Sequence, residues 1–228
     1  MAGTLHIVAT PIGNLDDITA RAIKVLESAD LILCEDTRVA QKLLARFGVQ
    51  KSLESYHQHS TLRKADYILD LLGEGKNLAL VSDAGTPGIC DPGNRLVSAA
   101  VEKFGDGIKI IPVPGASAAA AALSVCGFPA DRFVFLGFPP AKNKRKKYFQ
   151  DLLSCEFTAV FYESNFRILK TLAEIDELNH DKTRRIVVCR ELTKAFETVY
   201  RGAISEVTAK IKKDPLKGEF VAVLEGKQ

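Results

Sequence analysis

Four segments place acids, glycines and small hydroxyl residues directly behind runs of aliphatic residues: Thr10-Pro-Ile-Gly-Asn-Leu-Asp-Asp17, Glu35-Asp-Thr-Arg38, Ser82-Asp-Ala-Gly-Thr-Pro-Gly88 and Pro112-Val-Pro-Gly-Ala-Ser117. The third joins two glycines and a proline to a carboxylate. Its backbone can approach a ligand closely while Asp83 accepts hydrogen bonds from hydroxyl or ammonium groups. The same residues also suit an ordinary strand-to-helix turn, with Asp91-Pro92 opening the next helix. Pro114-Gly-Ala-Ser117 sets small residues and free backbone N–H groups at a helix start, a place that receives a carboxylate and equally one that packs tightly against a sheet. Neither turn carries a Walker lysine and no G-x-G-x-x-G follows the first aliphatic run, which argues against nucleoside triphosphates and NAD.

Charged clusters supply further candidates. Glu35, Asp36 and Arg38 concentrate two acids and a base; they read as catalytic groups or as a helix cap with its ion pair. His57 and His59 share one side of an extended segment, but no further cluster completes a metal site, so no metal is expected. Glu163-Ser164 and Arg190-Glu-Leu-Thr-Lys194 bring charges to strand ends in the second half and are expected to face the first domain across a cleft. Lys142, Lys144, Arg145, Lys146 and Lys147 are five cations in six residues, followed by Tyr148 and Phe149. Cations with aromatics nearby suit RNA or single strands; a plain solvated helix face has the same composition.

The elements that must hold these residues alternate in the first half. Leu5–Thr10, Leu31–Cys34, Leu78–Ser82 and Ile108–Val113 are strand-like, while Ile18 to Ala29 and Leu62 to Leu72 keep helical spacing. That rhythm predicts an α/β domain with a mainly parallel sheet and flanking helices, and ligands then bind beyond the carboxyl ends of the strands. An alanine-rich helix near 116–126 is followed by Gly127-Phe-Pro-Ala130, which breaks the pattern and marks a boundary. Beyond it, strands are expected at 133–136, 158–162, 185–189, 198–200 and 219–224, with helices near 143–154, 165–178 and 204–213. Two strands near 186–200 lack a helix between them, so the second sheet is expected to be mixed. The domain division expected is 1–115 and 116–228.

Composition excludes several classes. At 228 residues, 46% hydrophobic and 26% charged, the chain is an ordinary globular one. The uncharged stretch Ile110–Ala130 has the length of a bilayer span, but three prolines, two glycines and a run of alanines exclude it, and no membrane role is expected. Five scattered cysteines and an amino terminus without a basic or long apolar region point to a reducing cytoplasm. The net charge of +3 is uneven: residues 1–112 hold 12 Lys and Arg against 14 Asp and Glu, and the remainder 19 against 14. The basic second half hints at a polyanionic partner.

Together, Leu5-His-Ile-Val-Ala-Thr-Pro-Ile-Gly-Asn-Leu-Asp-Asp17, Cys34-Glu-Asp-Thr-Arg38, Ala79-Leu-Val-Ser-Asp-Ala-Gly-Thr-Pro-Gly-Ile-Cys-Asp-Pro-Gly93, Pro112-Val-Pro-Gly115, Phe161-Tyr-Glu-Ser164, Arg190-Glu-Leu-Thr-Lys194 and Gly218-Glu-Phe220 resemble, in order and over nearly the whole chain, one family. It is that of small-subunit ribosomal RNA methyltransferases acting on the ribose 2′-hydroxyl of a decoding-region cytidine in 16S rRNA, within the tetrapyrrole (corrin/porphyrin) methylase superfamily. The resemblance implies two α/β domains, S-adenosylmethionine in the cleft between them, ribosomal RNA or the small ribosomal subunit as partner, and a homodimer. It assigns the methyl donor to Thr10, Pro11, Ile12 and Gly13; to Asp83, Ala84, Gly85, Thr86 and Pro87; to Pro114, Gly115, Ser117 and Ala118; to Phe161 and Tyr162; and to Leu192 and Thr193. Relatives often continue past the last strand, whereas this sequence ends at Glu225-Gly-Lys-Gln228, which bears on how RNA is gripped. The tetrapyrrole-modifying branch carries a G-x-G-x-G turn after the first strand; Pro11-Ile-Gly-Asn14 stands in its place and favours the RNA branch.

For such a transfer, in-line placement of the ribose oxygen and relief of its proton are the tasks left to the protein. Asp36 and Glu35 are the candidate general bases, with Arg38 and Lys194 binding the sugar-phosphate or stabilising alkoxide character. Two other classes compete: a methylase of a small, tetrapyrrole-like heterocycle and a non-catalytic RNA-binding module.

Overall fold

The first three α-helices each follow a polar residue able to hold their free amides. Thr19 accepts from Ala22 N–H ahead of α1 (Ala20–Ser28), Asp36 from Arg38 N–H ahead of α2 (Thr37–Arg46), and Thr61 from Lys64 N–H ahead of α3 (Leu62–Gly73). The computed structural model describes residues 2–57, 60–91, 93–180 and 182–227; His59 of the His57/His59 pair and Pro92 of the Asp91-Pro92 step lie outside them. The chain divides into two units, Met1–Ser117 and Ala118–Gln228.

In the first unit, β1 (Thr4–Val8), β2 (Leu31–Cys34), β3 (Leu53–Ser55), β4 (Leu78–Val81) and β5 (Lys109–Val113) form one parallel sheet in the order β3-β2-β4-β1-β5. Right-handed crossovers send connections that run toward β3 to one face and those that run toward β5 to the other. Accordingly α1 and α2 cover the face bearing Val8, Ile32, Ala79 and Val81, while α3 and α4 (Gly93–Phe104) cover the face bearing Leu5, Leu33, Leu78 and Leu80. Alternate residues of β4 thus enter opposite cores, and the strand reads as an unbroken aliphatic run. The strand β3 carries no apolar alternation in Leu-Glu-Ser and was not among the expected strands; its pairing to β2 forms it.

The second unit holds α5 (Ala118–Cys126), β6 (Phe133–Phe135), α6 (Arg145–Ser154), β7 (Thr158–Ser164), α7 (Ile168–Leu178), β8 (Arg185–Arg190), β9 (Thr198–Ala203), α8 (Ile204–Ile211) and β10 (Glu219–Leu224). Its sheet order is β6-β7-β10-β8-β9, parallel between β6 and β7 and antiparallel elsewhere, the mixed sheet expected from the missing helix between β8 and β9. Phe220, Ala222 and Leu224 face α6, α7 and α8, whereas Val221 and Val223 face α5. The break at Gly127–Ala130 is therefore not the boundary, because α5 before it supplies the cover for one face of the second sheet. Ile110–Ala130 resolves into the end of β5, a turn and α5, and no helix among the described residues is long and apolar enough to cross a membrane.

Candidate active site

In the first sheet the connections leaving β1 and β4 depart in opposite directions, so a crevice opens at the carboxyl ends of these adjacent strands. Four of the sequence motifs meet there. Thr10 N–H donates to Gly85 O at 2.9 Å and Gly85 N–H to Thr10 O at 3.1 Å. Thr10 Oγ1 donates to Ser82 O at 3.0 Å, and Ser82 Oγ to Gly85 O at 3.1 Å. Gly85 holds φ +82°, and a Cβ there would lie 3.3 Å from Ile12 Cγ2. Beyond β5, a Cβ on Gly115 would stand 3.0 Å from the Ala9 Cβ, and Thr86 Oγ1 donates to Ala116 O at 3.1 Å. The turn after β2 joins the set through Asp36 N–H, which donates to Asp83 Oδ1 at 3.1 Å.

The turns present mainly backbone and small side chains. Gly13, Asp83, Ala84, Pro114 and Gly115 are exposed; Ile12, Thr86, Ser117 and Ala118 are half-buried; Thr10, Pro11 and Pro87 are buried supports. Asp91 serves the turn itself: its Oδ1 accepts from Gly88 N–H at 2.6 Å and Gly93 N–H at 2.8 Å.

The two neighbouring acids, Glu35 and Asp36, have opposite electrostatics. Burial, then the charges of Asp83 and Asp91, raises the Glu35 carboxyl above its ordinary value. Asp36 is held down to about 2 by its side-chain hydrogen bonds with Arg38, whose guanidinium lies 2.6 Å away, and by the Arg38 N–H. Asp36 is thus a helix cap with a guanidinium partner, the structural role open to it in the sequence, and it holds a proton too weakly for base catalysis near neutrality. Arg38 is exposed beyond that pair. Among the described residues no group of three or more His, Cys, Asp or Glu is arranged to hold a metal ion.

In the second unit the charges at strand ends divide. The Glu163 side chain is fully buried: it takes Arg167 at 2.7 Å, accepts from Thr171 Oγ1 at 2.6 Å and from Ser164 N–H at 2.8 Å, and lies 3.9 Å from Arg145. Arg190 is also buried and donates through Nε to Lys217 O at 3.0 Å. Neither Glu163 nor Arg190 presents its charge outward as the sequence pattern had implied. Lys194 contacts Glu191 at 2.8 Å and Glu219 at 2.9 Å; burial pulls its ammonium down, but these two carboxylates outweigh it and hold the value above the ordinary one. Glu191 and Thr193 adopt positive φ, 51° and 66°, so Glu191–Lys194 is a tight turn flanking half-buried Leu192. Phe161 is buried in the core, and the half-buried Tyr162 stacks edge-on with Phe135 and Phe138, centroids 4.9 and 5.5 Å away.

The basic run is also split. Arg145 points inward, donating to Glu174 at 2.5 Å, to Thr171 and to Pro140 O, and it leaves the set of phosphate-facing cations. Tyr148 is half-buried against the core and Phe149 fully buried, so neither is the aromatic companion the sequence implied. Lys142, Lys144, Lys146 and Lys147 remain exposed. Sequence reasoning missed Thr171 and Glu174, which hold Arg145 from α7; only the folded chain brings these helical positions against it.

A family model described as Tetrapyrrole (Corrin/Porphyrin) Methylases matches residues 4–208. Ribosomal RNA small subunit methyltransferase I of Escherichia coli O157:H7 is 46% identical over 227 residues, spanning 98% of this chain and 78% of that protein. The protein of that name from Thermotoga maritima is 43% identical over 226 residues, covering 99% of this chain and 100% of the relative. Among solved structures, diphthine synthase superposes with a TM-score of 0.74 at 14% identity over 98% of this chain and 90% of that one. Cobalt precorrin-4 methyltransferase, a cobalamin biosynthetic enzyme, gives 0.71 at 19% identity over 97% and 94%.

Proposed function

From the premise that this chain belongs to the tetrapyrrole (corrin/porphyrin) methylase family, we propose that it is an S-adenosylmethionine-dependent methyltransferase of small-subunit ribosomal RNA, acting on the ribose 2′-hydroxyl of a cytidine in the decoding region of 16S rRNA. The observation that carries the reading is the likeness, at 43–46% identity over nearly the whole chain, to proteins named for that class of substrate. Likeness to the cobalamin enzyme is at the level of fold and does not select a tetrapyrrole.

Bound S-adenosylmethionine supplies a methyl group already activated by its sulfonium. The residues at the first-sheet crevice fit such a molecule: the exposed Asp83 carboxylate suits hydroxyl and ammonium groups, and Gly13, Ala84, Pro114 and Gly115 leave backbone accessible. The reading assigns the donor to Thr10–Gly13, Asp83–Pro87, Pro114, Gly115, Ser117 and Ala118. Glu35 takes the proton of the ribose hydroxyl; its raised affinity for a proton brings it nearer the operating pH than Asp36. Asp36 keeps the start of α2 and Arg38 in place, and Arg38 receives the sugar-phosphate. Lys142, Lys144, Lys146 and Lys147 contact backbone phosphates. The same reading makes the enzyme a cytoplasmic homodimer, which sedimentation of the purified protein checks.

The test is transfer of labelled methyl from S-adenosylmethionine to small ribosomal subunits from cells lacking the enzyme, with the label mapped by nuclease digestion and mass spectrometry. Label on the 2′-oxygen of one cytidine is the expected result, and DNA of the same sequence stays unlabelled. Donor binding by calorimetry without transfer to RNA rejects the RNA reading and turns attention to small heterocycles.

A further inference from the structure

Among the described residues of the second unit, three of the four exposed aromatics lie at one end of the sheet; the fourth, Phe133, opens β6 at the other end. The strands β6 and β7 run parallel, and β8 shares their direction because both β7 and β8 are antiparallel to β10. The segments that leave these three strands therefore emerge together, and each carries a phenylalanine: Phe138, Phe166 and Phe196, exposed by 51%, 91% and 75%. Three strand spacings of roughly 4.8 Å separate β6 from β8, so this end is about 15 Å across, enough for several nucleotides of a single strand.

Two features make this end more than a chance of composition. The segment bearing Phe138 is held rigidly, since Arg167 donates to Pro139 O at 3.1 Å and Arg145 to Pro140 O at 2.9 Å, and Phe138 itself packs edge-on against Tyr162. The same segment runs directly into Lys142, Lys144, Lys146 and Lys147, all exposed, around the start of α6. Apolar rings on fixed loops, bordered by cations, match a flexible polyanion whose bases have faces to stack. A double helix, whose bases are already stacked, gains nothing from them.

We propose that this end of the second unit binds single-stranded RNA, with Phe166 and Phe196 as stacking platforms for unpaired bases and the lysines after Phe138 holding the backbone. The inference rests on the RNA reading and deepens it by naming the form of RNA engaged. Four measurements test it: binding of a short fluorescein-labelled single-stranded RNA by anisotropy across salt concentrations, KM for small subunits, donor affinity by calorimetry, and sedimentation. Phe166→Ala and Phe196→Ala are each expected to weaken RNA binding roughly tenfold and raise KM in step, leaving donor affinity and the salt slope unchanged. Phe166→Trp and Phe196→Trp restore binding. Lys142→Ala with Lys146→Ala lowers the slope of log K against log salt by about 0.7 for each phosphate no longer neutralised. Methyl transfer by the unaltered protein tests the RNA reading itself. With that transfer intact, undiminished RNA affinity in both alanine variants overturns the stacking surface alone. A changed sedimentation coefficient with unchanged RNA affinity overturns it too, by making the aromatics an interface between copies.

Discussion

Thr10 and Gly85 face each other in an antiparallel bridge of two backbone hydrogen bonds, although the strands they follow, β1 and β4, are parallel. The reversal is possible because the chain after β4 doubles back through Gly85 at φ +82°. It binds the turns after two neighbouring strands into one unit at the mouth of the crevice, and the Thr10 and Ser82 hydroxyls add two further bonds to the same backbone.

Gly85→Ala strains that bridge. A left-handed backbone with a side chain is expected to lower stability by about 1–2 kcal/mol, and the methyl presses on Ile12, displacing the first turn. Denaturant midpoints check the stability, and calorimetry should show weaker S-adenosylmethionine binding. Unchanged donor affinity would remove these turns from the donor site.

Glu35 and Asp36 separate in pH behaviour. Because the Glu35 value is raised by burial and by the charges of Asp83 and Asp91, its base form accumulates at higher pH than that of an ordinary glutamate, and the rising limb of kcat/KM is displaced upward with it. Glu35→Gln is expected to lose that limb and at least about a hundredfold in kcat, while Asp36→Asn keeps most of both. The stability sign is opposite. A raised folded-state value means the Glu35 contribution is present at low pH and lost as pH rises through it, so Glu35→Gln is more stable than the parent at pH 7. The Asp36 contribution, with its value held at about 2, is present above its ordinary value of 3.8 and fades as pH falls toward 2. Rate–pH profiles and melts of both variants decide; a Glu35→Gln enzyme with full turnover ends the general-base assignment.

Arg145 separates structure from RNA binding within one basic run. Its guanidinium is buried among Glu174, Thr171 and Pro140 O, so Arg145→Met leaves buried acceptors without their donor and is expected to destabilise by roughly 3 kcal/mol. Lys147→Ala, on the exposed side, is expected to leave stability within about 0.5 kcal/mol. Urea unfolding of the two variants is the check.

How much was legible depended on whether the signal was local. Strands β2 and β4 could be read as unbroken aliphatic runs because both their faces are covered, and the helices α1 and α3 from apolar spacing because each buries one face; β3 could not, since Leu53-Glu-Ser55 owes its conformation to Cys34 and its neighbours in β2. The turns after β1, β2, β4 and β5 were marked by glycine, proline and acids, residue types required by turn backbones whatever lies beyond them. The pattern break at Gly127 lies inside the second unit, and a helix break looks the same inside a domain as between two.

By itself the sequence determined the two α/β units, the mixed second sheet, the family and the turns that meet at the crevice. All of these follow from residue type at fixed spacing, which acts through neighbours along the chain. Tertiary structure alone decided which of two adjacent acids binds a proton more tightly, which of five clustered cations turns inward, and which aromatics reach solvent. Charge and burial at Glu35 and Arg145 are set by Asp83 and Glu174, brought close only when distant segments pack, and no spacing along the chain encodes that proximity.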